Sequence, residues 1–483
     1  MNAPASSAGV ALLPQAELER LFAVQRAAFE RERFPALLTR RDRLQRLMKL
    51  TVDNEDRIVA AIAQDFGHRS AHETRLAECY IVASATRHAL RHLKRWMKPV
   101  RVATPLHLQP GRAEIIRQPV GVVGVISPWN YPLQLALTPV IGALAAGNRV
   151  LLKPSELTPA TSALLRQLIS HYFREDELAV VLGDAAVGQA FSALPWDHLF
   201  FTGSTAVGRA VAQAAAANLT PVTLELGGKS PALFDDDADL ALVASRLVAG
   251  KLLNAGQTCI APDYAMVPEA RAPEFVAAIR DAVARLYPSL VANPDYTAIV
   301  NERHYQRLIG LIDDAQRKGA QIVPLDPGSE ASSTQDRKLV PTLLLNVTDD
   351  MAVMNEEIFG PLLPIETYTT RDDAIARINR RPRPLAFYYF GQDATRREQV
   401  LRDTIAGGVT VNDTIWHFAH EELPFGGAGA SGIGAYHGER GFLAFTQQKP
   451  VFHQSRLAAT RLLYPPYGAA FERVLALLKR LTS

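Results

Sequence analysis

The 483-residue chain is 48% hydrophobic and 21% charged, with a net charge of +3 and two cysteines. That length exceeds what one core supports, so two or three domains are expected; the scattered basic residues exclude a nucleic-acid surface, and so few thiols exclude a disulfide framework and point to a reducing, cytoplasmic setting. No apolar run reaches the roughly 18 residues of a membrane span, and the N-terminus lacks the basic-then-apolar pattern of a secretory leader, so no stable membrane association is expected.

Residues 15–50 and 55–98 are rich in Ala, Leu, Arg and Glu at helical spacing, with Leu44, Leu47 and Met48 as one apolar row. Cys79 falls in the second block and reads as a core-facing helix residue. Pro99 and Pro105 end the helical region. Leu106 to Gly121 then reads as a hairpin around Pro110-Gly111, with Ala113 to Gln118 as the return strand.

From Gly121 the pattern alternates. A strand at Val122 to Ile126 leads into Pro128-Trp-Asn-Tyr-Pro132 and a helix to about Ala146. Another at Arg149 to Leu152 leads into Lys153-Pro-Ser-Glu156 and a helix from Thr158 to Phe173. A third, Leu199 to Phe201, leads into Thr202-Gly-Ser-Thr-Ala-Val-Gly208 and an Ala-rich helix to Asn218. Strand, loop and helix in repetition predict parallel βαβ units in a doubly wound α/β sheet. Ligands in such sheets bind beyond the carboxyl ends of the strands, where all three loops lie.

A second α/β region begins at Glu225. Helices are expected near 240–254, 272–287 and 302–318, and strands at Thr342 to Asn346 and Val409 to Asn412, with a Ser/Gly/Pro-rich excursion from Asp326 to Asp336. The C-terminal Phe471, Val474, Leu475, Leu478 and Leu481 make one apolar stripe, so the tail helix is expected to dock on protein.

Between Glu225-Leu-Gly-Gly-Lys229 and Gly256-Gln-Thr-Cys259 the chain carries a carboxylate and then a thiol, the pairing of a nucleophile with a base that activates water against its adduct. Gly203, Ser204 and Gly208 lie where backbone N–H groups at a helix start can cradle a pyrophosphate, although the same loop reads equally as an ordinary βα turn. Lys153 and Glu156 can bond ribose hydroxyls or simply favour a helix N-terminus. Asn130 offers an NH₂ to an oxyanion or satisfies a turn between prolines. His417 and His420 stand three apart with no supporting ligand cluster, and no metal is expected.

Taken in order over about residues 15–455, these motifs resemble the NAD(P)-dependent aldehyde dehydrogenases. Lys153-Pro-Ser-Glu156, Gly256-Gln-Thr-Cys-Ile-Ala-Pro-Asp-Tyr264 and the Tyr464-Pro-Pro-Tyr467 tail resemble class 3 members, and among those the bacterial coniferyl aldehyde dehydrogenases. The resemblance implies a Rossmann-like cofactor domain (1–105 and 119–224), a catalytic domain (225–434), oligomerisation strands (106–118 and 435–455) and a tail helix (456–483) in a homodimer. It implies Cys259 as nucleophile, Glu225 as base and Asn130 as oxyanion donor. Lys153, Glu156, Gly203, Ser204, Gly208, Trp129, Glu357 and Phe359 would hold NAD, with NADP as the variant. Tyr131, Trp416 and Phe418 would border a small-molecule aldehyde, aromatic for preference, with medium-chain aliphatic aldehydes as the alternative. A CoA-acylating enzyme or a non-catalytic structural relative is disfavoured by Glu225 and by the joint presence of Cys259, Asn130 and Lys153.

Overall fold

A computed structural model describes residues 15–482. Three sheets organise it. The first has six strands in the order Gly432–Ile433, Val222–Leu226, His198–Gly203, Val122–Ile126, Arg149–Lys153 and Leu178–Val180, all parallel except the first. Val122–Ile126 is buried throughout, as a near-continuous apolar strand must be when helices cover both faces. The strand carrying Glu225 thus belongs to this sheet, one element later than the alternating pattern suggested, and a two-residue strand from far down the chain closes its edge.

The second sheet has seven strands, ordered Gln321–Pro324, Thr342–Leu345, Leu362–Tyr368, Tyr264–Pro268, Pro231–Phe234, Ala386–Phe390 and Gly408–Val411; only the first runs antiparallel to its neighbour. Most of these strands escaped the sequence reading, because short apolar runs carry no period that separates strand from buried helix.

The third sheet is antiparallel, with Val100–Val102 and Thr446–His453 flanking Arg112–Pro119. This corrects the expected hairpin: its first arm is Val100–Val102, and Leu106–Leu108 is a 3₁₀ turn. Pro105 and the prolyl turn at Pro110 deny that segment the ladder N–H groups a strand requires.

Two features of the helical N-terminal region bear on function. The Gln134–Ala146 helix is buried at all 13 positions, and Gly147 at φ +99° ends it. Its N-terminus is served by Glu78, whose Oε2 accepts from the N–H groups of Leu133 and Gln134, each at 2.9 Å. Glu78 comes from a π-helical turn, Arg75–Tyr80. In the tail helix Ala469–Thr482, Phe471, Val474, Leu475 and Leu478 are half-buried while Leu477 is exposed; the Leu481 side chain lies outside the described residues.

Candidate active site

The segment before Cys259 is held in a conformation that costs energy. Asn254 and Ala255 have φ of +54° and +52°, and Gly256 follows at +77°; non-glycine residues enter this region only when their surroundings over-determine it. Asn254 supplies much of that restraint, its Nδ2 donating to the carbonyls of Asn130 at 3.0 Å and Gln257 at 3.1 Å. Gln257 is fully buried and bonds Asn254, Ala298 and Val300 through its amide. The result fixes the backbone two residues before the thiol.

Asn130 lies in the same lattice of bonds. Its side-chain Nδ2 donates to the Gln257 carbonyl at 3.1 Å, which engages one of its two hydrogens. Its own carbonyl accepts from Arg69 Nη1 at 2.9 Å. Arg69 in turn pairs with Glu78 at 3.0 Å, both side chains fully buried. The π-turn, Asn130 and the cysteine segment are therefore joined in one network. Tyr131 is pinned beside it, its hydroxyl 2.7 Å from Thr258 Oγ1 and its ring under the Arg69 guanidinium.

Cys259 sits where two cavities meet. A large one, about 630 Å³ and mostly apolar, is lined by Tyr80, Ile81, Tyr131, Leu135, Trp416 and Phe418 among others. A smaller one, about 210 Å³, is lined by Trp129, Asn130, Gly203, Ser204, Glu225, Glu357 and Phe359. Cys259 and Leu135 border both. Trp416 is 63% exposed at the mouth, whereas Phe418 packs edge-on against Phe425 and His437, each at 4.9 Å. Phe418 thus anchors its loop as well as facing the cavity.

Lys153, Glu156 and Gly208 border neither cavity. Lys153 Nζ pairs with Glu156 at 3.0 Å, and a Cβ on Gly208 would meet Leu226 at 2.4 Å, so this glycine lets its helix approach the strand. His417 bonds Thr410 Oγ1 at 2.8 Å, and His420 Nδ1 accepts from the Glu422 N–H. The sequence reading missed His304, Arg307, Leu385, Phe425 and Tyr436 on the smaller cavity; none lies in a motif with a chemical signature.

The electrostatics are those of buried carboxylates beside a thiol. Glu225 is 2% exposed with no hydrogen-bond partner for either oxygen, and burial raises its pKa well above the ordinary range. Glu357 is pushed to about 8 by burial and by Asp263, against a bond from the Gly228 N–H. Burial, then the Glu357 and Glu225 carboxylates, push the Cys259 thiol up, while the N–H groups of Cys259 and Ile260 oppose the rise. A dinucleotide fits the smaller cavity's groups. Glu357 Oε1 is buried and unpartnered, Ser204 caps the Thr205–Ala216 helix whose first turn faces the loop, and the glycines leave the backbone bare.

The aldehyde dehydrogenase family model matches residues 4–451. A Pseudomonas aeruginosa protein named "Probable coniferyl aldehyde dehydrogenase" is 52% identical over 458 residues, 95% of each chain. The substrate-bound Staphylococcus aureus AldH structure superposes with a TM-score of 0.91 at 40% identity, covering 95% of this chain and 99% of that one. A Mycobacterium tuberculosis aldehyde dehydrogenase complexed with NAD⁺ gives 0.81 at 30% identity, covering 92% and 91%. The chain belongs to the aldehyde dehydrogenase family. It is an aldehyde dehydrogenase that acts on small-molecule aldehydes with a nicotinamide cofactor, and it is 47–52% identical to three bacterial proteins named as coniferyl or probable coniferyl aldehyde dehydrogenases. No helix of the described residues is long and apolar enough to cross a membrane.

Proposed function

We propose that this enzyme oxidises aromatic, cinnamyl-type aldehydes such as coniferyl aldehyde to the carboxylic acid, with NAD as the preferred acceptor. The observation that carries the reading is the position of Cys259 on the border of an aromatic-mouthed apolar cavity and a smaller one into which Glu225, Glu357, Gly203 and Ser204 face. The Cys259 thiolate adds to the aldehyde carbon entering from the larger side. Asn130 Nδ2 and the Cys259 N–H stabilise the alkoxide that forms, since donors already fixed in place need no reorganisation. A nicotinamide cofactor held beside Cys259 by Glu357, Gly203 and Ser204 would supply the hydride acceptor for that carbon, leaving the acyl group on sulfur. Glu225 then takes a proton from water, which attacks the resulting Cys259 thioester and releases the acid.

On the cofactor side, Gly203 and Ser204 cradle the pyrophosphate, Glu357 accepts from the nicotinamide ribose, and Trp129 and Phe359 flank the ring, their own rings 5.4 Å apart. Lys153 and Glu156 hold the adenosine ribose, the carboxylate disfavouring a 2′-phosphate. Gly208 serves by letting the helix start approach its strand. Of the described residues, 15–105 with 119–224 form the body of the cofactor domain and 225–434 that of the catalytic one, while Glu225, Leu226 and Gly432–Ile433 pair into the first sheet and Val100–Val102 into the third. Strands from 106–118 and 435–455 present an exposed edge, Thr446–His453, that suits a homodimer contact. The name of the Pseudomonas relative and the exposed Trp416 favour coniferyl aldehyde over medium-chain aliphatic aldehydes. The test is NADH and NADPH production with coniferyl aldehyde, benzaldehyde, hexanal and acetaldehyde. Highest kcat/KM for coniferyl aldehyde with NAD is expected; a clear preference for acetaldehyde contradicts the aromatic mouth.

A further inference from the structure

His88 and His92 stand one turn apart on the helix Ile81–Trp96, with ring centroids 4.2 Å apart. Glu422 ends the mouth loop that carries Trp416 and Phe418, and it brings Oε1 to 3.4 Å from His88 Nε2. One donor atom from each of the three residues lies within 4.8 Å of the other two. The His88–Glu422 approach is not a hydrogen bond: His88 Nε2 is shielded from solvent and has no hydrogen-bond partner. His92 Nδ1 lies 2.9 Å from the His88 carbonyl oxygen, which can only accept, so Nδ1 carries the proton and Nε2 keeps its lone pair. Trp96 packs on both imidazoles, at 5.7 Å and 5.9 Å, and holds their orientation.

Two imidazoles and one carboxylate, with a fourth position left to water, are the donor set of an open tetrahedral zinc site. Bonds of about 2.0–2.2 Å to a common ion draw the three donors together, and the Glu422 side chain, 54% exposed, is free to supply the movement. We propose that His88, His92 and Glu422 bind a divalent transition-metal ion of the zinc type, which clamps the mouth loop to the helix. Trp416, Phe418 and Glu421 of the loop and Ile81 and Ser84 of the helix line the same cavity. The bound ion therefore ties together two walls of the aldehyde entrance. The site departs from the expectation of no metal, and it uses neither His417 nor His420 as a ligand.

The test titrates the untagged, chelator-stripped Cys259→Ala chain, which lacks the competing catalytic thiol, with Zn²⁺ by calorimetry and with Co²⁺ by visible absorption. One equivalent per chain is expected, with tetrahedral Co²⁺ bands and a Tm that rises with metal. His92→Ala and Glu422→Gln should each weaken binding by about tenfold or more and abolish the Tm response. Circular dichroism checks that each variant is folded, and the half-exposed position of Glu422 keeps its variant informative if the histidine variants are not. Absence of saturable binding, or binding unchanged in Glu422→Gln and in His88→Ala/His92→Ala, overturns the proposal.

Discussion

A Cβ on Gly227 would lie 1.8 Å from the Oε2 of Glu357, so the carboxylate occupies the space that any side chain at 227 would need. Gly227 directly follows the strand that carries Glu225, and it lines the smaller cavity together with Glu357. The glycine is therefore required by a neighbour's charge rather than by its own backbone angle. Gly227→Ala should displace Glu357 and weaken NAD binding by about tenfold or more, equivalent to roughly 1.4 kcal/mol. Fluorescence titration with NAD checks this, and unchanged affinity would mean that Glu357 does not hold the cofactor.

Glu357 also sets a proton linkage. Burial pushes its carboxyl up to about 8. Ribose hydroxyls donate to the charged form and lower that value, so NAD binding should release protons and tighten as pH rises through 8. Calorimetry in buffers of different ionisation enthalpy measures the release. Glu357→Gln should remove it.

The two chemical groups share a sign. In the proposed reaction Cys259 and Glu225 must both be deprotonated to act, and burial raises the pKa of both. Activity, as kcat/KM, should therefore climb on the alkaline side. Stability should move the other way: a carboxyl raised on folding stabilises below its unfolded pKa, and that contribution is lost as pH rises through the folded value. Urea midpoints at about pH 6 and about pH 9 should fall for the parent and fall less for Glu225→Gln.

Arg69 and Glu78 form a fully buried pair under Asn130. Arg69→Met leaves Glu78 uncompensated and should cost about 3–5 kcal/mol; adding Glu78→Gln should recover part of it. Chemical denaturation of the single and double variants measures the difference. Equal losses in both would mean that packing, not charge, is what Arg69 supplies.

This pair marks the limit of what the sequence disclosed. The βαβ alternation and the Gly256-Gln-Thr-Cys259 segment were legible because period and residue chemistry are local. Val122–Ile126, Arg149–Lys153 and the Gln134–Ala146 helix lie close to where the pattern put them. Arg69 and Glu78 gave no signal, because their role depends on a π-turn meeting a helix N-terminus more than fifty positions away. The strand Gly432–Ile433 was hidden likewise: two residues carry no period, and its pairing with Glu225 and Leu224 is decided by the tertiary fold. Trp416 and Phe418 share a tetrapeptide helix, yet one is exposed at the mouth and the other is packed into its loop.

That split gives a substrate prediction. Trp416→Ala removes a free aromatic face and should reduce the preference for coniferyl aldehyde over hexanal by about 2- to 12-fold, the equivalent of 0.5–1.5 kcal/mol. Phe418→Ala should instead lower the Tm by releasing the loop from Phe425 and His437. Competition kinetics and thermal melts separate the two roles.

The central claim is a covalent path through Cys259 completed by Glu225. Its most direct test mixes Glu225→Gln rapidly with NAD and coniferyl aldehyde, follows NADH, and quenches in acid for peptide mass analysis. Expected are a burst of one NADH per active site, slow turnover afterwards, and the acyl group on the peptide that contains Cys259. A wild-type steady rate without a burst, or an unmodified Cys259 at the plateau, would contradict it.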